Sequence, residues 1–306
     1  MTVHLSIPVE GPFRLDLTVW ALRRRPGNVI DQWTNREYSR LFAHERGVIT
    51  ATVSQRCCGP TSDLAVTLTS RQPITDQLGA DLRLGIEQML GVKVDLRGFY
   101  SLVHDDPDLQ PLVARFRGVR PPRFPSMFEA LLNSIACQQL SLESGLSALN
   151  RLSGRFGASG VMADRTRVAF PRPVDLLGAP AGVFRELGFS HQKERAIAEL
   201  ALGIAAGTID LSALETMTND EAIASLSSIR GIGRWSSEYV LLRGLGRLDI
   251  FPADDVGAQN NLQRLFGLDA KPDYATIKAL VSRWSPYQGL VYFHLLLDKL
   301  HAKGTL

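Results

Sequence analysis

Cysteine is scarce in this chain. Three thiols in 306 residues, Cys57, Cys58 and Cys137, are too few for a disulfide framework and one short of a four-thiolate zinc or iron–sulfur site. A reducing compartment is therefore expected. Long apolar runs are missing as well, none approaching the roughly 20 residues that cross a bilayer. The opening residues, interrupted by Pro8, Gly11 and Pro12, do not form a secretory signal. The expectation is a soluble, cytoplasmic protein with no membrane partner. Strong charge of either sign is also lacking. Lys and Arg number 34 against 31 Asp and Glu, a net charge of +3 that permits nucleic-acid binding without demonstrating it. There is no Gly-x-x-x-x-Gly-Lys phosphate loop and no dinucleotide fingerprint, so the common nucleotide-binding classes are excluded. The six histidines form no metal-ligand pair at helical spacing, and His294 in an apolar helix reads as core.

What remains is an ordinary globular composition, 45% hydrophobic and 21% charged, over a length that suits two or three compact units. Up to about residue 106 the signals are mixed. Phe13, Leu15, Leu17 and Val19 alternate with Arg14, Asp16 and Thr18, which predicts a half-buried strand. Val48 to Val53 and Leu64 to Thr69 predict two more, joined by a turn through Cys58, Gly59 and Pro60. Ile74, Leu78, Leu82, Ile86 and Leu90 recur every fourth residue ahead of Gly91, which predicts a covering helix. From residue 107 to 306 the pattern is helical almost throughout. Helices are expected around residues 128–135, 141–156, 193–206, 221–227, 235–245, 256–266, 274–284 and 287–301. Residues 157–173 read as a loop, and Thr218 with Glu221 fits a capping box. The fold class is α+β: an N-terminal antiparallel sheet domain with helices over 1–106, then an all-α domain over 107–306 whose two helical halves flank a cleft. Arg115, Arg117, Arg120 and Arg123 at the junction read either as a solvated linker or as phosphate contacts. Arg23, Arg24 and Arg25 read as a wet helix face.

The most informative segment is Ile229-Arg230-Gly231-Ile232-Gly233-Arg234-Trp235 between two amphipathic helices. Two glycines allow a tight hairpin, Ile232 can plug the space between the helices, and the second helix starts near Arg234 with unpaired N–H groups. Such a helix end suits a phosphate and needs no base sequence. A bare Gly-x-Gly equally fits a simple packing corner. One helix downstream, Ile250-Phe251-Pro252-Ala253-Asp254-Asp255-Val256-Gly257 offers two carboxylates. Either could cap the next helix; Asp254 as cap and Asp255 facing the cleft would reconcile both uses.

Taken together, the hairpin and the aspartate resemble the helix-hairpin-helix (HhH-GPD) DNA glycosylase superfamily, in particular bacterial enzymes of the 3-methyladenine DNA glycosylase II type. The resemblance implies base-excision repair: double-stranded DNA with a damaged base as partner, base flipping, and hydrolysis of the N-glycosidic bond with Asp255 as catalytic carboxylate. It implies a base pocket formed by Trp235, Tyr239, Gln138 and Tyr287. It implies DNA contacts from Gly231, Ile232, Gly233, Arg234 and Gln139, the last entering the gap left by the flipped nucleotide. Gln138 and Gln139 belong to Ile135-Ala136-Cys137-Gln138-Gln139-Leu140-Ser141, which is similar to a second motif of the family; Gln139 departs from relatives that have leucine there. Residues 187–193 resemble a further backbone-phosphate loop. Relatives that also cut the strand carry a lysine where this chain has Trp235, so a monofunctional hydrolase acting on alkylated purines is expected. No cofactor is implied beyond a structural Na+ or K+ at hairpin carbonyls near Ile229, and no obligate protein partner. A nucleoid-associated location follows. The rivals are a lesion-binding protein without catalysis, and a glycosylase for oxidised or deaminated purines.

Overall fold

The computed structural model describes residues 1–45, 47–56, 61–162 and 165–306. Cys57 and Cys58, with most of the turn expected after them, lie outside the described residues. The chain opens with strand β1 (Thr2–Glu10) and helix α1 (Leu15–Arg23), followed by β2 (Gln32–Thr34), β3 (Glu37–His44), β4 (Gly47–Gln55) and β5 (Thr61–Ser70). The strands form one antiparallel sheet in the order β1-β5-β4-β3-β2. Ile7 faces Leu64 and Val53 faces Val66, so one side of the pleat is apolar and buried. The β-branched runs on β4 and β5 are strands as expected. Helix α2 (Asp76–Met89) is capped by the Thr75 side chain and ends before Gly91, whose φ is +60°.

The segment from Phe13 to Val19 is a correction: α1 is a helix, not a strand. It packs against β2, β3 and the C-terminal helix at once, so Leu15, Leu17, Val19, Ala21 and Leu22 are all buried. A helix covered on several sides has no polar face to reveal its 3.6-residue period, and a short apolar alternation then imitates a strand. Its start is held from the sheet, where Gln55 on β4 accepts the Leu15 N–H and donates to the Phe13 carbonyl.

Helices α3 (Arg97–Val103) and α4 (Gln110–Arg115) lead into α5 (Met127–Cys137) and α6 (Leu142–Phe156), capped by Ser126 and Ser141. The expected loop at 157–173 contains a small hairpin, β6 (Ser159–Met162) and β7 (Arg165–Val168), packed on β4. Then come α7 (Val183–Glu186), α8 (His191–Ala205), α9 (Asn219–Ser227), α10 (Arg234–Val240) with a π-turn to Leu245, α11 (Val256–Phe266), α12 (Tyr274–Val281) and α13 (Gln288–Ala302). The Thr218–Glu221 capping box is present at the start of α9.

Buried arginines join the two parts. Arg40 on β3, 2% exposed, pairs with Asp31 at 2.8 Å and with Glu129 on α5. Arg243 donates to the Ala21 and Leu22 carbonyls at the end of α1 (2.9 and 3.1 Å). Of the junction arginines, Arg120 and Arg123 are spent on backbone carbonyls, whereas Arg115 and Arg117 stay exposed as a solvated linker would have them. Arg120 is buried against the Val94 and Glu10 carbonyls, Arg123 reaches the Gln88 and Leu245 carbonyls, Arg115 pairs with Asp298, and Arg117 lies over the Tyr100 ring. Carbonyls at a domain junction lack ladder partners, and a forked guanidinium satisfies two together. His294 is in the core as expected, held neutral by burial that takes its pKa down to about 4, although its Nε2 meets no partner.

Candidate active site

The hairpin connects α9 to α10. Gly231 has φ +79°, and a Cβ there would lie 2.8 Å from the Ala196 Cβ on α8. Ile232 is buried and its N–H returns to the Ile229 carbonyl at 3.0 Å. Only the second lone pair of that carbonyl is therefore open to a sodium or potassium ion. Among the described residues no three His, Cys, Asp or Glu side chains are grouped as metal ligands. Gly233 precedes α10 in extended conformation, with nothing within 4 Å of where a Cβ would stand. The exposed stretch from Gly233 to Arg234 thus turns the N–H end of α10 outward.

Beside the hairpin lies a cavity of about 960 Å³, walled by the α5–α6 turn, α10, the start of α11 and one face of α13. Asp255 stands in this wall. Its Oδ1 accepts the Ala258 N–H at 2.8 Å and so caps α11, while Oδ2 takes the Trp235 indole N–H at 3.3 Å and the Tyr292 hydroxyl at 3.4 Å. The division of labour expected between the two aspartates is thus corrected: Asp255 both caps and faces the cavity. Asp254 turns outward to Arg234, 2.7 Å from Nη2. The reason is a turn in which the Asp255 N–H reaches the Pro252 carbonyl, leaving Asp255 as the last extended residue before the helix. Burial raises the Asp255 carboxyl above its ordinary value, opposed by the Ala258 N–H, the Trp235 indole, the Gly257 N–H and the Lys299 ammonium.

Trp235 and Tyr239, four residues apart, stack with ring centroids 5.4 Å apart and form an aromatic wall next to Asp255. Behind them Glu238, 1% exposed, accepts the Ala253 N–H at 3.2 Å and the Tyr274 hydroxyl at 2.8 Å. It anchors the loop that carries Asp255.

A family model for the HhH-GPD superfamily base excision DNA repair protein matches residues 132–286, just over half of the chain and the part that holds hairpin and aspartate. The chain belongs to this superfamily. A fission yeast (Schizosaccharomyces pombe) relative, the alkylbase DNA glycosidase-like protein mag2, is 32% identical over 181 residues, 58% of this chain and 80% of its own length. The Bacillus subtilis DNA-3-methyladenine glycosylase is 28% identical over 236 residues, 74% of this chain and 75% of its own. The Bacillus subtilis protein YfjP is 33% identical over 172 residues, and the match spans only 58% of its length. Among solved structures, a 3-methyladenine DNA-glycosylase from Archaeoglobus fulgidus shares the fold over 96% of this chain and 97% of its own, with a TM-score of 0.83 at 22% identity.

Within this HhH-GPD chain the structure gathers most residues singled out from the sequence around one cavity: Asp255, Trp235, Tyr239, Gln138, Gln139, Gly233 and Arg234 all line it. Gln138 donates 2.7 Å bonds to the Gly231 carbonyl and the Ser236 hydroxyl, tying α5 to the hairpin. Gln139 has φ +52° and stands exposed at the rim beside Leu140, itself 48% exposed. Tyr287 is a correction. It lies outside the cavity at the start of α13, its ring 5.9 Å from Phe99 on α3. Tyr292 occupies the wall instead, on a helix face continued by Leu295 and Lys299. That i, i+3, i+7 spacing was present in the sequence as a signal. In the segment 187–193, Lys193 donates its ammonium to the Ala136 and Gln138 carbonyls at the end of α5 (3.0 and 2.7 Å). Arg24 is the largest correction: it is buried at the cavity, not on a wet face.

Proposed function

We propose that this chain is a DNA glycosylase that receives a flipped, alkylated purine in the cavity and hydrolyses its N-glycosidic bond, leaving an abasic site. The observation that carries the reading is the Asp255 carboxylate, set beside the Trp235–Tyr239 stack in a cavity that the exposed hairpin residues Gly233 and Arg234 also line. Breaking the bond builds positive charge on the sugar, which an ionised carboxylate in a water-poor wall stabilises, and the same oxygen can orient the attacking water. A base made cationic by alkylation leaves without a general acid, and an electron-rich aromatic wall attracts it by about 0.5–2 kcal/mol. Relatives named as acting on 3-methyladenine support this substrate class, with 7-methylguanine as a second member. Gly231, Ile232, Gly233 and Arg234 would meet the DNA backbone and Gln139 the gap in the duplex; a solved relative bound to abasic DNA, at 26% identity, supports duplex DNA as partner. Trp235 stands where strand-cutting relatives have lysine, so no Schiff base forms there and the reaction is monofunctional. The test is release of free 3-methyladenine and 7-methylguanine from methylated duplex DNA, with the strand scored for breaks. Release from an uncut strand by wild type, and none by Asp255→Asn, supports the reading. Equal release by both proteins, or by neither, overturns it.

A further inference from the structure

Part of the cavity is built by a residue outside the helical part of the chain and outside the 132–286 family match. Arg24, which ends α1, lines the cavity although only 4% of its surface is exposed. It has φ +62°, a left-handed conformation uncommon for a residue with a Cβ, and its own N–H closes α1 on the Trp20 carbonyl. The side chain crosses to the helical part, where Nη1 donates to the Tyr239 hydroxyl at 2.8 Å and Nη2 to Asn133 Oδ1 at 2.5 Å. Tyr239 is the ring on which Trp235 stacks, so the guanidinium borders the aromatic wall. A guanidinium carries five N–H donors and stays charged at any pH a protein survives. Two donors are used on oxygens, the Cys137 thiol also hydrogen-bonds the guanidinium, and Nε is enclosed without an acceptor. Among the described residues no carboxylate forms an ion pair with Arg24. The Nη hydrogens left over are the donors available to an acceptor in the cavity that Arg24 lines.

We propose that Arg24 reads the edge of the flipped base and favours purines with an oxo group at C6 over purines with an amine there. The inference rests on the reading of this cavity as a base pocket. 7-Methylguanine and hypoxanthine present a carbonyl oxygen to the guanidinium. 3-Methyladenine presents its 6-amino N–H at the same position, donor to donor, and only the ring nitrogens beside it remain as acceptors. Discrimination by a buried polar group left unpaired is stronger than discrimination by shape. In methylated DNA, 7-methylguanine and 3-methyladenine both carry positive charge, so their comparison reads chiefly the edges of the two bases and not their charge.

The experiment measures 7-methylguanine and 3-methyladenine released from one methylated duplex by wild type, Arg24→Met and Arg24→Lys. The ratio of two bases released in one tube is independent of how much enzyme is folded. Arg24→Met is expected to lower the 7-methylguanine to 3-methyladenine ratio about tenfold, equivalent to 1.4 kcal/mol. Arg24→Lys, with the charge but not the fork, is expected to fall between. A ratio unchanged in Arg24→Met overturns the inference while leaving the glycosylase reading intact. If wild type releases no base, the glycosylase reading fails, and saturation-transfer NMR with free hypoxanthine and free adenine decides instead. A preference for hypoxanthine that disappears in Arg24→Met supports the inference; equal binding of the two, or binding of neither, overturns it.

Discussion

The indole N–H of Trp235 points at Asp255 Oδ2 across 3.3 Å, and the same ring stacks on Tyr239. One side chain therefore forms the aromatic wall and favours the ionised form of the carboxylate beside it, against the burial that raises its pKa. Trp235→Phe separates the two functions, keeping a ring and removing the donor. A donor to a carboxylate favours its ionised form, so its loss lets burial push the Asp255 carboxyl up further. The acidic limb of the kcat/KM profile for base release is expected to move to higher pH. A limb that stays in place or moves to lower pH would show that the indole does not tune Asp255.

Asp255 also carries a cost in stability. Its carboxyl titrates higher in the folded chain than in the unfolded one, so folding disfavours the ionised form. The penalty is absent below the unfolded pKa and fully present above the folded one. Asp255→Asn keeps an oxygen to cap α11 and removes the charge. It should melt higher than wild type at neutral pH, with the advantage shrinking as pH falls through the folded pKa. Base release by the same variant is expected to fall on the order of 10²–10³-fold or more, the scale of losing a principal electrostatic stabiliser. Thermal melts at several pH values, paired with release assays, check both directions.

The two hairpin glycines should fail in different ways. Gly231 has a left-handed backbone and the Ala196 methyl in its path, so Gly231→Ala is expected to cost about 1 kcal/mol or more in folding stability. Gly233 is extended with open space around it, so Gly233→Ala should melt close to wild type. That open space lies where the hairpin would meet a phosphate. Gly233→Ala is therefore expected to weaken binding to duplex DNA and to reduce the dependence of affinity on salt. Urea unfolding and salt-titrated DNA binding separate the two outcomes.

Arg40 holds two buried carboxylates from opposite sides of the sheet–helix junction, Asp31 and Glu129. Arg40→Met leaves both without a counter-charge and is expected to destabilise by about 3–5 kcal/mol. Adding Asp31→Asn and Glu129→Leu should recover much of that loss, because the uncompensated charge and not the missing attraction dominates. Denaturant midpoints of the single and triple variants test this.

Where one element carried its own signals, the sequence was readable. Helix α11 has an amphipathic run, Gly267 in left-handed conformation behind it and an aspartate pair ahead of it, although which of the pair caps it was not legible. The hairpin was legible for the same reason: glycine conformation and a plugging isoleucine are local requirements. Helix α1 was not, because burial on several sides removed the period that distinguishes helix from strand. Tyr287 and Tyr292 lie five residues apart on one segment, and only the packing of α13 against α3 and α11 turns the second toward the cavity. Arg24 reads as surface in any window of sequence; its partners Asn133 and Tyr239 are 109 and 215 residues away.

The sequence by itself determined the hairpin, its aspartate, the aromatic pair at helical spacing and most helix boundaries, since these follow from backbone conformation and local hydrogen bonding. The tertiary structure alone decided which oxygen of Asp255 faces the cavity, which tyrosine lines it, and that a charged residue of the N-terminal part completes its wall. Burial of charge is a property of what surrounds a residue from every direction, and no stretch of neighbours along the chain contains that information.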